Sequence, residues 1–512
     1  MKNTLLTTLI LLGSISVFSQ TNFGKEWVIG RSGYKIKFDN PLTHDTSGIF
    51  IFFGLGSSNV CDSSGNIILQ SNGMNVYDRN INYIDGGDTL ATPGYYEECD
   101  GDGPIPQYSL FMPMENKKYY FVTATMNDTM LYNFHNIHGW KAPYNLLLYN
   151  VIDMNMNGGA GKVVKRMVPI VENVELLKVG MQACRHANGK DWWLLKMAGD
   201  SVNGNRIFKF LFTQDSVYNM GVQTMPYPFE GYFDLFGQMQ FSPDGNTWAF
   251  ARSRLPGMNY LYLANFDRCT GILSNFSKII PPPQATGFPP GDVQADTANT
   301  GLCFSPNGKN LYISRYSHIL QYHIPTQSFY KVYGMDTTYD YFAGYTSLAL
   351  GADNKVYISY FHNISKQMSV IDNPDGIGAT CNFCRKCLQS KNPQTIYGLI
   401  KTIPNLPNYE LGADTTKPCW PLSSGEVYKQ SSKIKLYPNP FNNDLTIDYS
   451  LQIGEVSKIV VYTLLGVSVY ETELSNTVNR VTMQLPNLPI GVYLYKYFVN
   501  NRLESTGKLL KQ

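Results

Sequence analysis

Charge, long apolar runs and catalytic motifs are all scarce in this 512-residue sequence. Charged residues make up 16% of the chain and the formal net charge is +2, whereas about a quarter of an average globular protein is charged. So small an excess of positive charge excludes a strongly basic surface, and no nucleic-acid partner is predicted. Beyond the first twenty residues no apolar run approaches the roughly 18 residues of a membrane span, so no transmembrane segment is predicted. No serine-hydrolase elbow, zinc-protease motif or phosphate-binding loop occurs.

Aromatic and turn-forming residues are abundant. The chain contains 36 Tyr, 27 Phe, 44 Gly and 28 Pro; aromatic residues suit strands, while Gly and Pro interrupt them at turns. Short alternating or β-branched runs replace any long helical period, so an all-β protein is predicted. The clearest hairpin is Ala183 to Met197, with Asn188-Gly189 at a turn that we expect to need positive φ at both residues.

The N-terminus has the order of a secretory signal. Lys2 precedes an apolar run from Leu5 to Val17, which is too short to span a bilayer. Val17 and Ser19 lie at the small-residue positions of a cleavage site before Gln20. Residues 1–19 are therefore predicted to be a signal peptide, with a buried N-terminal helix as the alternative.

A turn rich in Asp, Asn and Gly precedes a predicted strand at four places. The turns begin at Val60, Phe241, Phe304 and Leu350, and the last three are spaced by 63 and 46 residues. One propeller blade of four antiparallel strands takes about 40 to 50 residues. Residues 20–412 are therefore long enough for about seven blades.

The same turns resemble the Ser-Pro-Asp-Gly turns of WD-like and TolB-like β-propellers. Further stretches resemble a propeller found in exported Bacteroidetes proteins: Cys61–Tyr77, Lys118–Thr123, Leu148–Val163, Cys184–Leu195 and the segment from Gly398-Leu399 to Pro407-Asn408-Tyr409. The resemblance implies a closed propeller over residues 20–412, with a strand near Trp27 to Phe38 completing the last blade.

The last 80 residues form a second predicted unit. A polar, proline-broken linker at residues 413–432 precedes six or seven short predicted strands at residues 433–512, which suggests a small Ig-like β-sandwich. The candidate strands are Leu445–Ser450, Lys458–Thr463, Val467–Glu473, Val478–Gln484, Val492–Val499 and Gly507–Leu510.

This tail resembles the type A C-terminal sorting domain of the Bacteroidetes type IX secretion system. The motif residues that carry the resemblance are Pro438, Asn439, Pro440, Gly466, Gly491, Tyr493, Lys508 and Lys511. The resemblance implies that the secretion machinery is a partner and that the protein is exported through the periplasm to the cell surface or the medium. An ordinary Ig-like binding module is the alternative.

Nine cysteines are present, of which Cys381, Cys384 and Cys387 form a C-x2-C-x2-C run. The position three residues further on is Lys391, so the iron–sulfur pattern is incomplete. Zinc would need a fourth ligand, for which Cys419 and His362 are candidates. In an exported chain a disulfide plus a spare thiol is the preferred interpretation, and no metal or other cofactor is predicted.

Two other groups contain residue types that bind metals or act in catalysis. Glu97, Glu98, Asp100 and Asp102 are weak calcium candidates, although a solvated acidic loop is the preferred interpretation. Cys184 and His186 lie two apart on a predicted strand, where a catalytic thiol–imidazole contact is unfavourable, so they are expected to pack on a strand face. Of the neighbouring Trp192 and Trp193, one is expected to face the core and the other the outside.

The sequence thus predicts an exported propeller that acts as a binding, adhesion or scaffold module for a protein or glycan. The alternative is a secreted hydrolase or lyase that uses loop carboxylates around the central channel to cleave polysaccharide or peptide. Propellers perform both kinds of task, so the fold by itself does not choose between them.

Overall fold

The computed structural model describes most of the chain, and the described part is almost entirely β. The described residues are 22–30, 34–46, 51–135, 142–229, 236–252, 260–282, 299–315, 318–334, 345–360, 367–389, 403–414, 416, 419, 434–451, 455–463, 467–474, 479–500 and 502–512. The predicted signal peptide, and most of the predicted linker, lie outside these residues.

In the described part of residues 26–389, twenty-five strands form six antiparallel sheets. They are β1 (Glu26–Ile29), β2 (Tyr34–Lys37), β3 (Thr43–Thr46), β4 (Ser58–Cys61), β5 (Ile67–Ser71), β6 (Val76–Tyr77), β7 (Ser109–Pro113), β8 (Lys118–Thr125), β9 (Tyr144–Asp153), β10 (Lys162–Arg185), β11 (Trp192–Asp200), β12 (Gly204–Phe212), β13 (Val217–Thr224), β14 (Gly237–Phe241), β15 (Thr247–Arg252), β16 (Leu261–Asp267), β17 (Ile272–Ile279), β18 (Asn299–Phe304), β19 (Asn310–Arg315), β20 (His318–His323), β21 (Ser328–Gly334), β22 (Tyr345–Leu350), β23 (Val356–Tyr360), β24 (Gln367–Ile371) and β25 (Phe383–Gln389).

Within the part of the chain that the structure describes, helix is confined to short connections. These are Pro93–Glu98, Asp128–Met130 continuing into a π-helical turn at Leu131–His135, and 3-10 turns at Asn157–Gly159 and Gly378–Cys381. Among the described residues, no helix has the length and apolar character needed to cross a membrane.

Each sheet is a simple meander, as expected for propeller blades. Sheets β14–β17, β18–β21 and β22–β25 have four strands, while β1–β3 and β4–β6 have three. The remaining sheet, β7–β13, has seven strands and is two blades that share the long strand β10. The first part of β10 pairs with β9, its end from Met181 to Arg185 pairs with β11, and Gly180 between them has φ +76°. Five separate sheets and the two halves of this one make seven blades, in agreement with the predicted number.

The predicted turns join the first strand of a blade to its second strand. Ser242 N–H donates to the Thr247 carbonyl and Gly245 N–H to the Ser242 carbonyl, both at 2.8 Å. The turn from β18 to β19 repeats this pattern, with Ser305 and Gly308 as the donors. Gly245 and Gly308 have φ of +73° and +70°, a conformation that glycine adopts without steric cost. The predicted strands follow these turns directly, since β15, β19 and β23 begin at Thr247, Asn310 and Val356.

Ring closure differs from the prediction. The strands near Trp27 to Phe38 do not complete the last blade; they pair with each other and with β3, and residues 345–389 supply all four strands of the last blade. The first and last blades are joined by side-chain packing instead. The rings of Trp27, Phe38 and Tyr357 meet with centroids 4.7 to 5.6 Å apart, within the range for edge-to-face aromatic contacts.

Both tryptophans of the central hairpin are buried, so the prediction that one faces outward is wrong. Trp192 and Trp193 are 0% and 1% exposed. The Trp192 indole N–H donates to the Pro113 carbonyl and the Trp193 indole N–H to the Arg268 carbonyl, at 3.0 and 2.8 Å. The reason is that this blade is covered by neighbouring blades on both faces, so alternation along the strand no longer separates core from solvent.

The turn of the same hairpin also differs in detail. Arg185 pairs with Trp192 as the hairpin prediction requires, but of the Asn188-Gly189 pair only Gly189 has positive φ, at +74°. The turn has the same pair of hydrogen bonds as the blade turns described above, from His186 N–H to the Asp191 carbonyl and from Gly189 N–H to the His186 carbonyl, both at 2.9 Å.

The C-terminal region is a sandwich of two sheets. Its strands are β26 (Ile434–Tyr437), β27 (Asp444–Tyr449), β28 (Ser457–Thr463), β29 (Ser468–Leu474), β30 (Arg480–Gln484), β31 (Gly491–Val499) and β32 (Arg502–Lys511). The sheets have the orders β26-β27-β30 and β29-β28-β31-β32, and they enclose a core of their own that includes Leu445, Ile459 and Tyr497. All six predicted strands are present, and the last is longer than predicted.

Candidate functional site

The segment of residues 403–414 lies against the inner strands of the propeller. Asn405 N–H donates to the carbonyl of Ser57, directly before β4, at 2.8 Å. Its side-chain amide donates to the carbonyls of Ser109 in β7 and Met181 in β10, at 3.1 and 3.3 Å. Because the first strands of successive blades surround the channel of a propeller, a residue that bonds to three of them lies in that channel.

Buried amides extend this network around the ring. The Gln182 amide donates to the Asn405 side-chain oxygen at 3.0 Å. Gln107 exchanges two hydrogen bonds with the backbone of Met239 in β14, at 2.7 and 2.8 Å. The Gln238 oxygen accepts from backbone N–H groups of β18 and β22, at 3.1 and 2.9 Å. These side-chain amides form hydrogen bonds with backbone groups of the inner strands that have no partner within the β-sheets. Buried polar groups require such partners.

Tyr409 fixes the next part of the segment. Its hydroxyl donates to the Phe111 carbonyl at 3.1 Å, and its side chain is 3% exposed. Burial raises the pKa of Tyr409 well above its ordinary value, so the hydroxyl remains a donor. The Asn408 amide donates to the Pro243 carbonyl at 2.9 Å. The channel is thus filled by the protein's own chain.

A cavity of ≈ 590 Å³ lies beside this segment, at the mouth of the channel. It is bordered by the N-terminal residues, the channel segment, and the ends and turns of the inner strands of the last three blades. The turn residues among its walls are Pro243, Pro306, Gly351, Ala352 and Asn354. Ligand sites in propellers and other scaffolds commonly use such loops on a rigid frame.

The walls of the cavity combine aromatic, amide and charged side chains. Phe241 and Phe304 contribute apolar surface, while Asp39 and Glu410 are the two carboxylates among the lining residues. Asp39 lies 3.4 Å from the Lys25 ammonium group and is half-buried. This composition suits a polar ligand with apolar faces.

The chain beyond the cavity is held to the fifth blade. The Arg268 guanidinium donates to the carbonyls of Arg185 and Gly412, the former at 3.0 Å. The next residue, Cys269, forms a disulfide with Cys419 across 150 residues of sequence. The described part of the predicted linker is therefore tied to the propeller rather than detached from it.

The three closely spaced cysteines do not act as one set. Cys384 and Cys387 form a disulfide, and Cys381 is a buried free thiol. This arrangement confirms the interpretation as a disulfide plus a spare thiol. Of the two proposed fourth ligands, Cys419 is bonded elsewhere and His362 lies outside the described residues.

The weak calcium candidates are dispersed. Glu97 and Glu98 end the helix Pro93–Glu98 and are exposed, as is Asp100, whereas Asp102 is half-buried beside Gly54. Within the described part of the chain, no group of three or more His, Cys, Asp or Glu side chains is arranged to hold a metal ion.

Cys184 and His186 belong to packing and turn structure. The Cys184 thiol is buried against the turn that contains Gly245, and burial raises its pKa to about 12. His186 follows the end of β10, and its two ring nitrogens contact the Cys269 carbonyl and the Asn188 N–H, both at 3.0 Å. The expectation of a packing role agrees with this geometry, although only Cys184 lies on the strand.

The sorting motifs from the two ends of the tail meet in space. The Asn439 side chain donates to the Lys508 carbonyl at 2.9 Å and accepts from Leu510 N–H at 2.8 Å. Lys511 is buried, with its ammonium group donating to the Asn442 carbonyl and lying 5.5 Å from the Phe441 ring centre. Pro438 and Pro440 flank Asn439 in this junction.

The remaining motif residues lie in or beside the larger sheet of the sandwich. Gly491 and Tyr493 are in β31, and the Tyr493 hydroxyl donates to the Pro489 carbonyl at 2.7 Å. Gly466 lies outside the described residues.

Comparison with known proteins identifies the tail. Residues 435–512 match the family described as the secretion system C-terminal sorting domain. The chain therefore ends in a type IX sorting domain, and the protein is exported to the cell surface or secreted. The secretion machinery is accordingly a partner of this tail.

Solved structures that resemble the chain have low sequence identity. Saccharomyces cerevisiae Sqt1 is 10% identical, with 72% of this chain and 86% of that chain covered and a TM-score of 0.36. AztD from Citrobacter koseri is 12% identical, with 73% and 85% covered and a TM-score of 0.35. The β-propeller domain of Cps50 (Swd1) from Myceliophteria thermophila is 9% identical, with 66% and 90% covered and a TM-score of 0.36. No curated protein matches the chain.

The channel segment is the main feature that sequence reasoning missed. Pro407, Asn408 and Tyr409 carried part of the resemblance to exported propellers, but that resemblance gave no position for them. The available signal was an Asn- and Pro-rich stretch with a single Tyr near the end of the predicted propeller.

Proposed function

We propose that this protein is a Bacteroidetes β-propeller that binds a glycan or a protein segment at the cavity beside Tyr409. We further propose the division into a signal peptide (1–19), a propeller (20–412), a linker (413–432) and a sorting domain (433–512). Binding is supported above all by the cavity itself, which is open at the channel mouth while residues 403–409 fill the channel beneath it. A site that is closed below and framed by rigid turns suits capture at a surface.

Binding would be tested with the full mature chain on arrays of glycans and peptides. Ala352 is an exposed lining residue, so Ala352→Trp should occupy the cavity and abolish binding. Ala160→Trp is the matched control, because Ala160 is equally exposed in a 3-10 turn outside the cavity. Equal binding by both variants would place the ligand elsewhere.

The second candidate function is cleavage of polysaccharide or peptide at the channel mouth, by a hydrolase or a lyase reaction. It is supported by the two lining carboxylates, Asp39 and Glu410, since paired carboxylates carry acid–base chemistry in glycosidases. Mass spectrometry of the same array compounds after incubation separates the two functions. Cleavage that disappears in both Asp39→Asn and Glu410→Gln would establish the enzyme, and intact compounds would support binding.

Processing at the N-terminus is tested separately. N-terminal sequencing of the exported protein should begin at or near Gln20. A native protein that retains Met1 would contradict the signal-peptide proposal.

A further inference from the structure

The disulfide between Cys384 and Cys387 closes a bulge in an edge strand. These residues lie in β25, the outermost strand of the last blade. Met368 of β24 pairs with Leu388, and Val370 pairs with Cys384. Two steps along β24 are therefore matched by four steps along β25, and the additional residues of β25 form the bulge. The two cysteine Cα atoms are 5.8 Å apart, whereas three steps along an extended strand would cover roughly 10 Å.

The bulge presents this disulfide to solvent. Cys387 is exposed and Cys384 is half-buried. Arg385 and Lys386 lie between them, and Lys386 has φ +55°, which forms the turn of the bulge. The Arg385 guanidinium lies 5.6 Å from the Tyr333 ring centre and the Lys386 ammonium group 5.9 Å from the Tyr360 ring centre, so both side chains pack over aromatic rings.

The cross-link contributes little to the fold by comparison with the other disulfide. The entropy that a disulfide removes from the unfolded chain grows with the length of the loop it closes. Cys269–Cys419 spans 150 residues, whereas Cys384–Cys387 spans 3. Exposed disulfides that contribute little stability are the ones that exchange readily, in contrast to structural disulfides.

We propose that Cys384–Cys387 is a redox-active site that exchanges with thiols, either small thiols or cysteines on a protein surface. A substrate thiolate attacks the exposed Cys387 sulfur, the Cys384–Cys387 bond breaks, and Cys384 leaves as a thiolate. A second substrate thiolate attacks the substrate sulfur of this mixed disulfide and releases Cys387 as a thiolate. Two electrons pass from the two substrate thiols to the cystine, and the products are a substrate disulfide and the protein dithiol.

Cys381 takes no part in this exchange. It lies three residues before Cys384 but is buried, and burial raises the pKa of its thiol. It therefore stays protonated and does not act as the attacking group.

The first experiment equilibrates the full mature chain with mixtures of reduced and oxidised glutathione. Free thiols are then blocked, and each disulfide is quantified by peptide mass spectrometry. Cys384–Cys387 should open at a ratio of reduced to oxidised glutathione about tenfold or more below that needed for Cys269–Cys419, which serves as the internal control. Opening of both at the same ratio, or of Cys269–Cys419 first, would overturn the proposal.

The second experiment tests the order of attack. With oxidised glutathione, Cys384→Ser should form a mixed disulfide at Cys387 faster than Cys387→Ser does at Cys384, because Cys387 is the exposed sulfur. The reverse order of attack would contradict the mechanism.

Discussion

At the scale of single residues, Asn405 is the side chain that joins most elements of the channel. It contacts the backbone of three inner strands or their ends and accepts from the Gln182 amide. Replacing it by Leu keeps its approximate size but leaves several buried donors and acceptors without partners. Each such group costs about 1 to 3 kcal/mol.

We therefore predict that Asn405→Leu lowers the free energy of unfolding by about 2 to 4 kcal/mol, measured by urea titration. Glu410→Gln in the same segment is the control, because its exposed side chain should change stability by less than about 0.5 kcal/mol. A loss in Asn405→Leu no greater than in the control would show that the network does not stabilise the channel.

Lys196 is a buried cation and predicts a pH effect. Its ammonium group donates to the carbonyls of Lys178 and Val179 at 3.2 Å, and burial lowers its pKa to about 7, compared with about 10.4 in an unfolded chain. Below pH 7 both states hold the proton, and the folded state bears the cost of the buried charge. Between about pH 7 and 10 only the unfolded state holds it, so stability rises with pH.

The wild type should therefore gain about 1 kcal/mol of stability per pH unit relative to Lys196→Met between pH 7 and 9. Urea titrations of both proteins from pH 6 to 10 measure this difference. Lys190→Met is the control, because the Lys190 side chain is exposed and its variant should follow the wild-type profile. Parallel curves for wild type and Lys196→Met would contradict the predicted titration.

At the scale of elements, the repeated blade turns have the same backbone but different surroundings. Gly245 and Gly308 occupy equivalent positions with nearly equal φ. A Cβ at Gly245 would lie 2.7 Å from Leu411 and 2.8 Å from Arg268, whereas at Gly308 the nearest atoms are 3.8 Å away. The first turn is covered by the segment that leaves the channel, and the second is open.

Gly308→Ala should therefore cost about 1 kcal/mol, from its backbone conformation alone. Gly245→Ala should cost about 1 to 3 kcal/mol more, because Leu411 and Arg268 must move. Denaturant titrations of the two variants isolate the packing contribution. Equal losses would mean that residues 411–412 do not cover the fifth blade.

At the scale of the whole molecule, the boundary that matters for stability lies after the channel segment. A chain that ends at Ser432 keeps Asn405, Tyr409 and the Cys269–Cys419 disulfide. It loses the sandwich, which has its own core, and the small contact of the sandwich with β13 around Gly221. A chain that ends at Thr402 loses all of these contacts.

We predict that the first truncation leaves the propeller's unfolding midpoint nearly unchanged, while the second lowers it strongly or prevents folding; thermal melts compare them. In cells with type IX secretion, the chain ending at Ser432 should remain in the periplasm. Deleting only Lys508–Lys511 should also impair export, because it removes the contacts to Asn439. Normal surface delivery of either variant would refute the sorting role of those residues.

The sequence by itself determined whatever depends on neighbouring residues. The blade turns, the strands that follow them and the strands of the tail were predicted because turn chemistry and alternation are local properties. The motifs of the tail were likewise readable because each is a short continuous stretch.

Only the tertiary structure decided the rest. The burial of both Trp192 and Trp193, the closure of the ring through Trp27 and Tyr357, and the Cys269–Cys419 pairing all depend on which blades become neighbours. The same holds for residues 403–409, whose partners are about 165 to 350 positions earlier in the chain. A local pattern gives no information on such contacts, because they are selected by the unpaired groups and the space that the closed ring leaves at its centre.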